Sequence, residues 1–367
     1  MAVRIGVPKE TDTREQRVAV VPDGVRALVK GGATVVVERG AGAQAFYGDA
    51  LYETAGATLA DAAAVYDNTD VVVKVQRPSP AEIARLRRGT LLISLIAPSS
   101  NPETVRALLG AGVTALALEL VPRITRAQSM DVLSSQSTVA GYKAVLIAAD
   151  TLPRLLPMMT TAAGTLPPAK AFVLGAGVAG LQAIATARRL GAVVSAFDVR
   201  AAAREQVASL GAAFVAAETV SAGSETAGGY AREQSADEQR RIADAIGGHI
   251  TDMDIVISTA QIPGRPAPRL ISAEMVRKMR PGSVIVDLAA EAGGNCELTK
   301  PGETVDVDGV RVIGPLNVPS MLPYHASQMF SKNVVTLLQH LIKDNTLAVD
   351  MTDEITRAMA VTNGVSA

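Results

Sequence analysis

The sequence predicts an α/β protein built from two doubly wound parallel sheets. Three observations predict it. The chain has 367 residues, which at roughly 150 residues per domain gives room for about two. Short β-branched runs alternate with Ala/Leu/Arg-rich helical stretches along most of its length, the pattern of successive β-α units. At residues 172–190 one such run meets a glycine-rich turn and then an apolar helical stretch.

In the N-terminal third, strands are expected at 4–8, 34–38, 71–75, 90–96 and 114–117, with helices between them, for example at 23–31 and 101–111. Asn101-Pro102-Glu103 is a good helix start, an N-cap followed by Pro at the first helical position. The texture changes near Val121. Residues 121–137 are polar, 141–153 form a long apolar helical pattern, and 160–168 are Thr, Ala, Gly and Pro with one Leu. This region reads as the crossing between domains. Strands follow at 171–174, 193–197, 255–259, 284–288 and 310–313. Residues 221–241 are rich in Ser, Gly, Glu and Gln, and two readings stand: a solvated loop with an exposed helix, or a mobile lid. Residues 322–342 read as one amphipathic helix returning the chain to the first domain, and 348–367 as a short tail. No fixed-period repeat is present. The expected domains are 1–138 plus 326–367, and 139–325.

Composition removes several function classes. Lys+Arg is 35 and Asp+Glu 36, a net charge of -1, so no general pull toward nucleic acid or acidic lipid is expected. With 48% hydrophobic and 19% charged residues, most of the chain is not intrinsically disordered. Mean hydropathy is high at +0.24. Yet the longest apolar stretches, such as 90–97, stop well short of the ~20 residues a membrane span needs. The start runs straight into a strand-like stretch and lacks the layout of a signal peptide. A single cysteine, Cys296, excludes a disulfide framework and a multi-Cys metal site; no metal is expected. His249, His325 and His340 are the only histidines, too few for machinery built on several. The lack of Trp and 3% aromatic content disfavour base stacking. A reduced, cytoplasmic protein is expected.

The strongest motif is Phe172-Val173-Leu174-Gly175-Ala176-Gly177-Val178-Ala179-Gly180. It is a Gly-x-Gly-x-x-Gly turn between a strand and an apolar helix, the context of a dinucleotide-binding fingerprint. Gly175 permits the tight turn, Gly177 the approach of a pyrophosphate, and Gly180 close helix–strand packing. The helix N-terminus offers N–H groups and its positive dipole end to phosphate. The next strand ends at Asp198, where a carboxylate would accept hydrogen bonds from ribose hydroxyls and repel a 2′-phosphate. That favours NAD(H), although Arg200, two residues on, is a residue type that can accommodate a 2′-phosphate. The two domains are therefore expected to be Rossmann-like and to flank a nucleotide cleft.

A second motif, Val121-Pro122-Arg123-Ile124-Thr125-Arg126-Ala127-Gln128-Ser129-Met130-Asp131, closely resembles the signature loop of the NAD(H)-binding component of proton-translocating nicotinamide nucleotide transhydrogenase. Segments 4–10, 229–231, 259–268 and 286–297 resemble the same family, so the likeness covers nearly the whole chain. It implies that Arg123, Gln128 and Asp131, with Ser134 nearby, line the nicotinamide pocket and serve hydride transfer. It further implies cofactor contacts from Gln128, Ser129, Met130 and Asp131, and from Gly175, Gly177, Val178, Ala179 and Gly180. Asp198, Val199, Arg200, Tyr230, Ala260, Gln261 and Pro263 complete that set. Hydride transfer between two nicotinamides needs rings held at attack distance with water excluded, rather than proton transfer at carbon. Without the family, residues 121–131 also read as a polar turn with a surface ion pair.

Alanine dehydrogenase shares this architecture, and the differences from it are informative. Its catalytic lysine lies in a Lys-Val-Lys-Glu-Pro run that here reads Lys74-Val75-Gln76-Arg77-Pro78, so Gln76 stands at that lysine. Its histidine position is Ala97, and a catalytic Asp position is Glu291. Imine chemistry requires positioned proton donors and acceptors, which these substitutions remove. Arg17 matches a substrate-binding Arg of that enzyme and reads as inherited scaffold. Gly228-Gly229-Tyr230 falls where the family has a closing loop. Asp287 reads as structural, and Cys296 as an inert core residue.

The resemblance implies a soluble subunit that binds NAD(H) and passes a hydride to NADP+ on a partner subunit, coupled to proton translocation by a membrane-spanning subunit. It implies a homodimer, at the inner face of the cell membrane through those partners. The alternatives are an alanine-type dehydrogenase and an NAD(H)-sensing binding module.

Overall fold

The computed structural model describes residues 2–67, 69–215, 235–262 and 265–362. Tyr230, Pro263 and most of the 221–241 segment lie outside the described residues. Contacts divide the chain into unit 1, Met1–Gln136 with Pro319–Ala367, and unit 2, Ser137–Val318.

Unit 1 begins with the strand β1 (Arg4–Val7), helix α1 (Pro22–Lys30), β2 (Thr34–Glu38), α2 (Asp49–Thr54) and β3 (Thr58–Ala60). It continues through α3 (Ala62–Tyr66), β4 (Val71–Val73), α4 (Pro80–Ile83), β5 (Leu91–Ser94), α5 (Pro102–Ala111) and β6 (Thr114–Ala117). Then α6 (Val132–Thr151) carries the chain into unit 2. There a hairpin, β7 (Met159–Thr161) and β8 (Gly164–Leu166), precedes β9 (Lys170–Leu174), α7 (Val178–Arg189), β10 (Val193–Phe197), α8 (Ala203–Ser209) and β11 (Ala213–Phe214). The rest of unit 2 is α9 (Ala236–Ile250), β12 (Ile255–Ser258), α10 (Ala273–Lys278), β13 (Val284–Asp287), β14 (Thr304–Val307) and β15 (Val310–Ile313). The chain ends back in unit 1 with α11 (Pro323–Leu341), the short pair β16 (Ile342–Lys343) and β17 (Thr346–Leu347), α12 (Glu354–Met359) and β18 (Ala360–Thr362).

Each unit holds a seven-stranded, mainly parallel, Rossmann-like sheet. The orders are β18-β6-β5-β4-β1-β2-β3 and β11-β10-β9-β12-β13-β15-β14. Strands buried on both faces read as unbroken apolar runs. Val71 and Val73 enter one core of unit 1, while Val72 enters the core on the opposite face. In unit 2, Ala171 and Val173 separate from Phe172 and Leu174 in the same way.

The order reverses direction between β1 and β4 in unit 1, and between β9 and β12 in unit 2. Such switch points open crevices at the carboxyl ends of the strands.

Beyond the added strands β3, β11 and β14, three features depart from the expected elements. Helix α6 begins at Val132 rather than near 141, because Asp131 caps it: Oδ1 accepts from Ser134 N–H at 2.9 Å. The 160–168 stretch contains most of the β7–β8 hairpin, exposed on every strand residue. The tail contributes α12 and β18, which pairs antiparallel with β6. Thr362 Oγ1 accepts from Ala115 N–H and donates to Val113 O, both at 2.7 Å. Among the described residues, no helix is long and apolar enough to cross a membrane.

Candidate functional site

In unit 2 the fingerprint stands at the switch point. Gly175 has φ +96°, and an added Cβ would lie 2.7 Å from Thr259 Oγ1. A Cβ on Gly180 would lie 1.8 Å from Gly175 O, so helix and turn can touch only because residue 180 is glycine. Gly177 differs: its Cβ would meet nothing within 4 Å. That open space adjoins the first turn of α7, whose leading N–H groups have no partner within the helix. Val178 is exposed and Ala179 is half-buried. The geometry fits a pyrophosphate approaching Gly177 and capping α7.

Asp198 follows β10 directly and is buried. Its Oδ2 accepts from Ala176 N–H at 2.7 Å, tying the turn to the strand end. Its Oδ1 accepts from Arg200 N–H at 2.8 Å, and the Arg200 side chain closes on both oxygens. Val199 is half-buried beside them.

The carboxyl end of β12 supplies Ala260 and Gln261. Ala260 N lies 3.3 Å from where a Gly175 Cβ would be, so this loop abuts the turn. Gln261 is exposed, and its Nε2 donates to Leu288 O at 2.9 Å.

The signature loop is in unit 1. Residues Thr125–Met130 form a 3-10 helix, with about three residues per turn. That spacing puts Ala127 and Met130 into the unit 1 core with Ile124 packed beside them. Gln128 and Ser129 lie on the outer side of this turn. Asn333 Nδ2 on α11 donates to Ser129 O at 2.8 Å, and Arg126 pairs with Asp353 at 2.7 Å. Asp131 Oδ2 accepts from Ser134 Oγ at 2.6 Å, so these two form one capping pair. Arg123 precedes the turn, in the stretch that joins it to β6. The Met130 side chain is core, which leaves its backbone for any ligand contact.

The switch point of unit 1 is lined by charged side chains whose pairing the sequence did not disclose. Arg17 grips Glu15 with two prongs, Nε to Oε1 at 2.8 Å and Nη2 to Oε2 at 2.7 Å, and donates to Gln136 Oε1 at 2.8 Å. Gln76 Nε2 donates to Glu15 Oε2 at 2.7 Å. Burial pushes the Glu15 carboxyl up, but the Arg17 hydrogen bonds and charge and the Gln76 bond outweigh it and bring it to about 2. Beside it, buried Lys74 contacts Glu82 at 2.6 Å and Glu10 at 3.3 Å. Burial raises Glu10 and opposes both other shifts; the neighbouring carboxylates nevertheless raise Lys74, and the Lys74 charge lowers Glu82.

The other singled-out residues have structural places. His249 Nε2 lies 2.8 Å from Ser195 Oγ, and His340 Nε2 lies 3.2 Å from Asp353 Oδ1. Cys296 is buried, and that burial raises its thiol. Asp287 is buried and accepts from Ser258, Ala289, Cys296 and Thr299. No group of His, Cys, Asp and Glu able to hold a metal occurs among the described residues.

A Rossmann-like sheet with a glycine turn, an open helix N-terminus and a strand-end carboxylate defines a dinucleotide-binding class of protein. The chain belongs to the alanine dehydrogenase/PNT family: residues 6–140 match its N-terminal domain and 144–366 its C-terminal domain. It is 49% identical over 369 residues to the first piece of the NAD(P) transhydrogenase alpha subunit of Rhodospirillum rubrum, covering 98% of this chain and 96% of that one. A solved transhydrogenase structure from Sinorhizobium meliloti aligns with TM-score 0.90 and 51% identity, over 98% and 99% of the two chains. A solved L-alanine dehydrogenase aligns with TM-score 0.80 and 29% identity, over 98% and 94%.

Proposed function

We propose that this chain is the NAD(H)-binding alpha subunit of a proton-translocating transhydrogenase. It passes a hydride from NADH to NADP+ held on a partner subunit. The fingerprint of unit 2 carries this reading: Gly177 leaves open space beside the start of α7, while Asp198 stands at the neighbouring strand end. The near full-length likeness to transhydrogenase alpha subunits supports the choice within the family.

When bound, the reduced nicotinamide supplies the hydride. Gly175, Gly177, Val178, Ala179 and Gly180 hold the pyrophosphate, and Asp198, Val199 and Arg200 the adenosine ribose. Ala260 and Gln261, with Tyr230 and Pro263 outside the described residues, complete the cofactor contacts. Arg123, Gln128, Ser129, Met130, Asp131 and Ser134 orient the nicotinamide side. Asp131 acts by capping α6 and fixing where the loop ends.

A membrane-spanning subunit provides proton translocation and places this chain at the inner face of the membrane. A homodimer is supported by the exposed apolar side chains Met158, Met159 and Leu166 around the β7–β8 hairpin.

The alanine dehydrogenase reading loses its chemistry. Gln76 stands at the expected lysine and is bound to Glu15, Ala97 replaces the histidine, and the Arg17 fork is engaged by Glu15. The test measures NADH oxidation by the purified chain under two conditions. With NADP+ and an NADP(H)-binding partner subunit, turnover is expected. With pyruvate and ammonia alone, turnover at the partner-dependent rate would overturn the proposal.

A further inference from the structure

We infer that Asn295 is a positioning residue for nucleotide binding. It acts through Ala260 and touches no ligand itself. Asn295 is fully buried. Its Oδ1 accepts from Ala260 N–H at 3.0 Å, and its Nδ2 donates to Ala260 O and to Pro268 O, each at 2.8 Å. The amide thus takes both backbone groups of one residue, as a neighbouring strand would. Its own carbonyl accepts from Leu270 and Ile271 N–H.

The chain is built to deliver this side chain. Gly293 and Gly294 have φ +100° and +82°, backbone that favours glycine. A Cβ on Gly294 would lie 2.9 Å from both Asp287 Oδ2 and Thr299 Cβ. The Asp287 carboxylate holds the start of the loop through Ala289 N–H and its far side through Cys296 N–H and Thr299 Oγ1. On the other side, Ala260 abuts the Gly175 turn, and Thr259 Oγ1 donates to Gly175 O at 3.1 Å. Asn295 therefore fixes the loop after β12 against the phosphate turn.

The inference rests on the proposed reading that residues 259–262 face the cofactor, and the test separates the two. NADH is titrated by its own fluorescence into the full chain and four variants. Asn295→Ala and Asn295→Asp should each raise the NADH Kd about 10-fold, the scale of orphaned buried polar groups. Asn295→Asp keeps the size and the acceptor for Ala260 N–H, and decides the matter if Asn295→Ala does not fold. Arg269→Ala removes a bond to Cys296 O in the same loop without touching Ala260, and should leave Kd within about twofold. With the partner subunit present, the Asn295 variants should raise NADH KM while holding kcat within about threefold of the parent. Ala260→Glu places a charge against the phosphates and should abolish binding. Asn295 variants with parental Kd beside a dead Ala260→Glu overturn the positioning role alone. An Arg269→Ala effect as large as theirs does the same. Parental binding by Ala260→Glu overturns the reading of the loop and the inference with it.

Discussion

Arg200 closes on Asp198 as a two-pronged ion pair, Nε to Oδ1 and Nη2 to Oδ2, each at 2.9 Å. On the proposed reading, the acid that would favour a free 2′-hydroxyl is thus neutralised by the residue that could take a 2′-phosphate. Asp198→Ala should weaken NADH binding by about 1–3 kcal/mol, the scale of a charge-assisted bond. It should also narrow the preference over NADPH by releasing Arg200, and adding Arg200→Ala should restore the gap. Fluorescence titrations with both nucleotides read this out; unchanged NADH affinity contradicts the ribose assignment.

Gly177 and Gly180 separate binding from folding. Gly180→Ala drives a Cβ into Gly175 O and should cost on the order of 3 kcal/mol of stability. Gly177→Ala meets nothing, so thermal melting should stay close to the parent while NADH affinity falls about 10-fold or more. Equal melting losses in the two variants would contradict this division.

Gln128 sits on a loop whose anchors, Ala127 and Met130, are buried. Gln128→Asn should therefore fold normally. It should lower the hydride-transfer rate about 10-fold or more, with NADH affinity within about twofold, because ring placement controls rate steeply. Equal losses in stopped-flow rate and titrated affinity would make Gln128 a binding residue only.

Glu15 makes stability depend on acid. Its carboxyl is brought from the ordinary 4.5 to about 2 in the fold, so its contribution is complete above pH 4.5 and is lost as pH falls toward 2. By linkage this amounts to about 3 kcal/mol at neutral pH. Glu15→Gln should lower stability at pH 7 by roughly that amount, since it also leaves the buried Arg17 without its counter-ion. The gap from the parent should close between pH 5 and 2 in denaturant melts. A pH-independent gap would contradict the pairing.

What the sequence disclosed follows physical strength of signal. Gly175, Gly177, Gly180 and Asp198 were legible because their spacing answers to backbone geometry and one carboxylate. Residues 58–60 and 360–362 were not, since three-residue strands carry no period and β18 gains its ladder only from distant β6. The start of α6 was hidden by its polar first turns, although Asp131 is its cap. Asn295 gave no signal beyond following two glycines, because its role lies in contacts 27 to 35 residues away. The Arg17–Glu15 pair is close in sequence, but its links to Gln136 and Gln76 are not.

The central claim, direct hydride passage from this chain to a partner, is tested most directly by isotope transfer. NADH carrying deuterium at the transferring C4 position is mixed with the purified chain, NADP+ and an NADP(H)-binding partner subunit in ordinary water. The account predicts deuterium at C4 of the NADPH formed, with none exchanged to solvent. NADPH without the label, or NADH oxidation that proceeds without the partner, would contradict it.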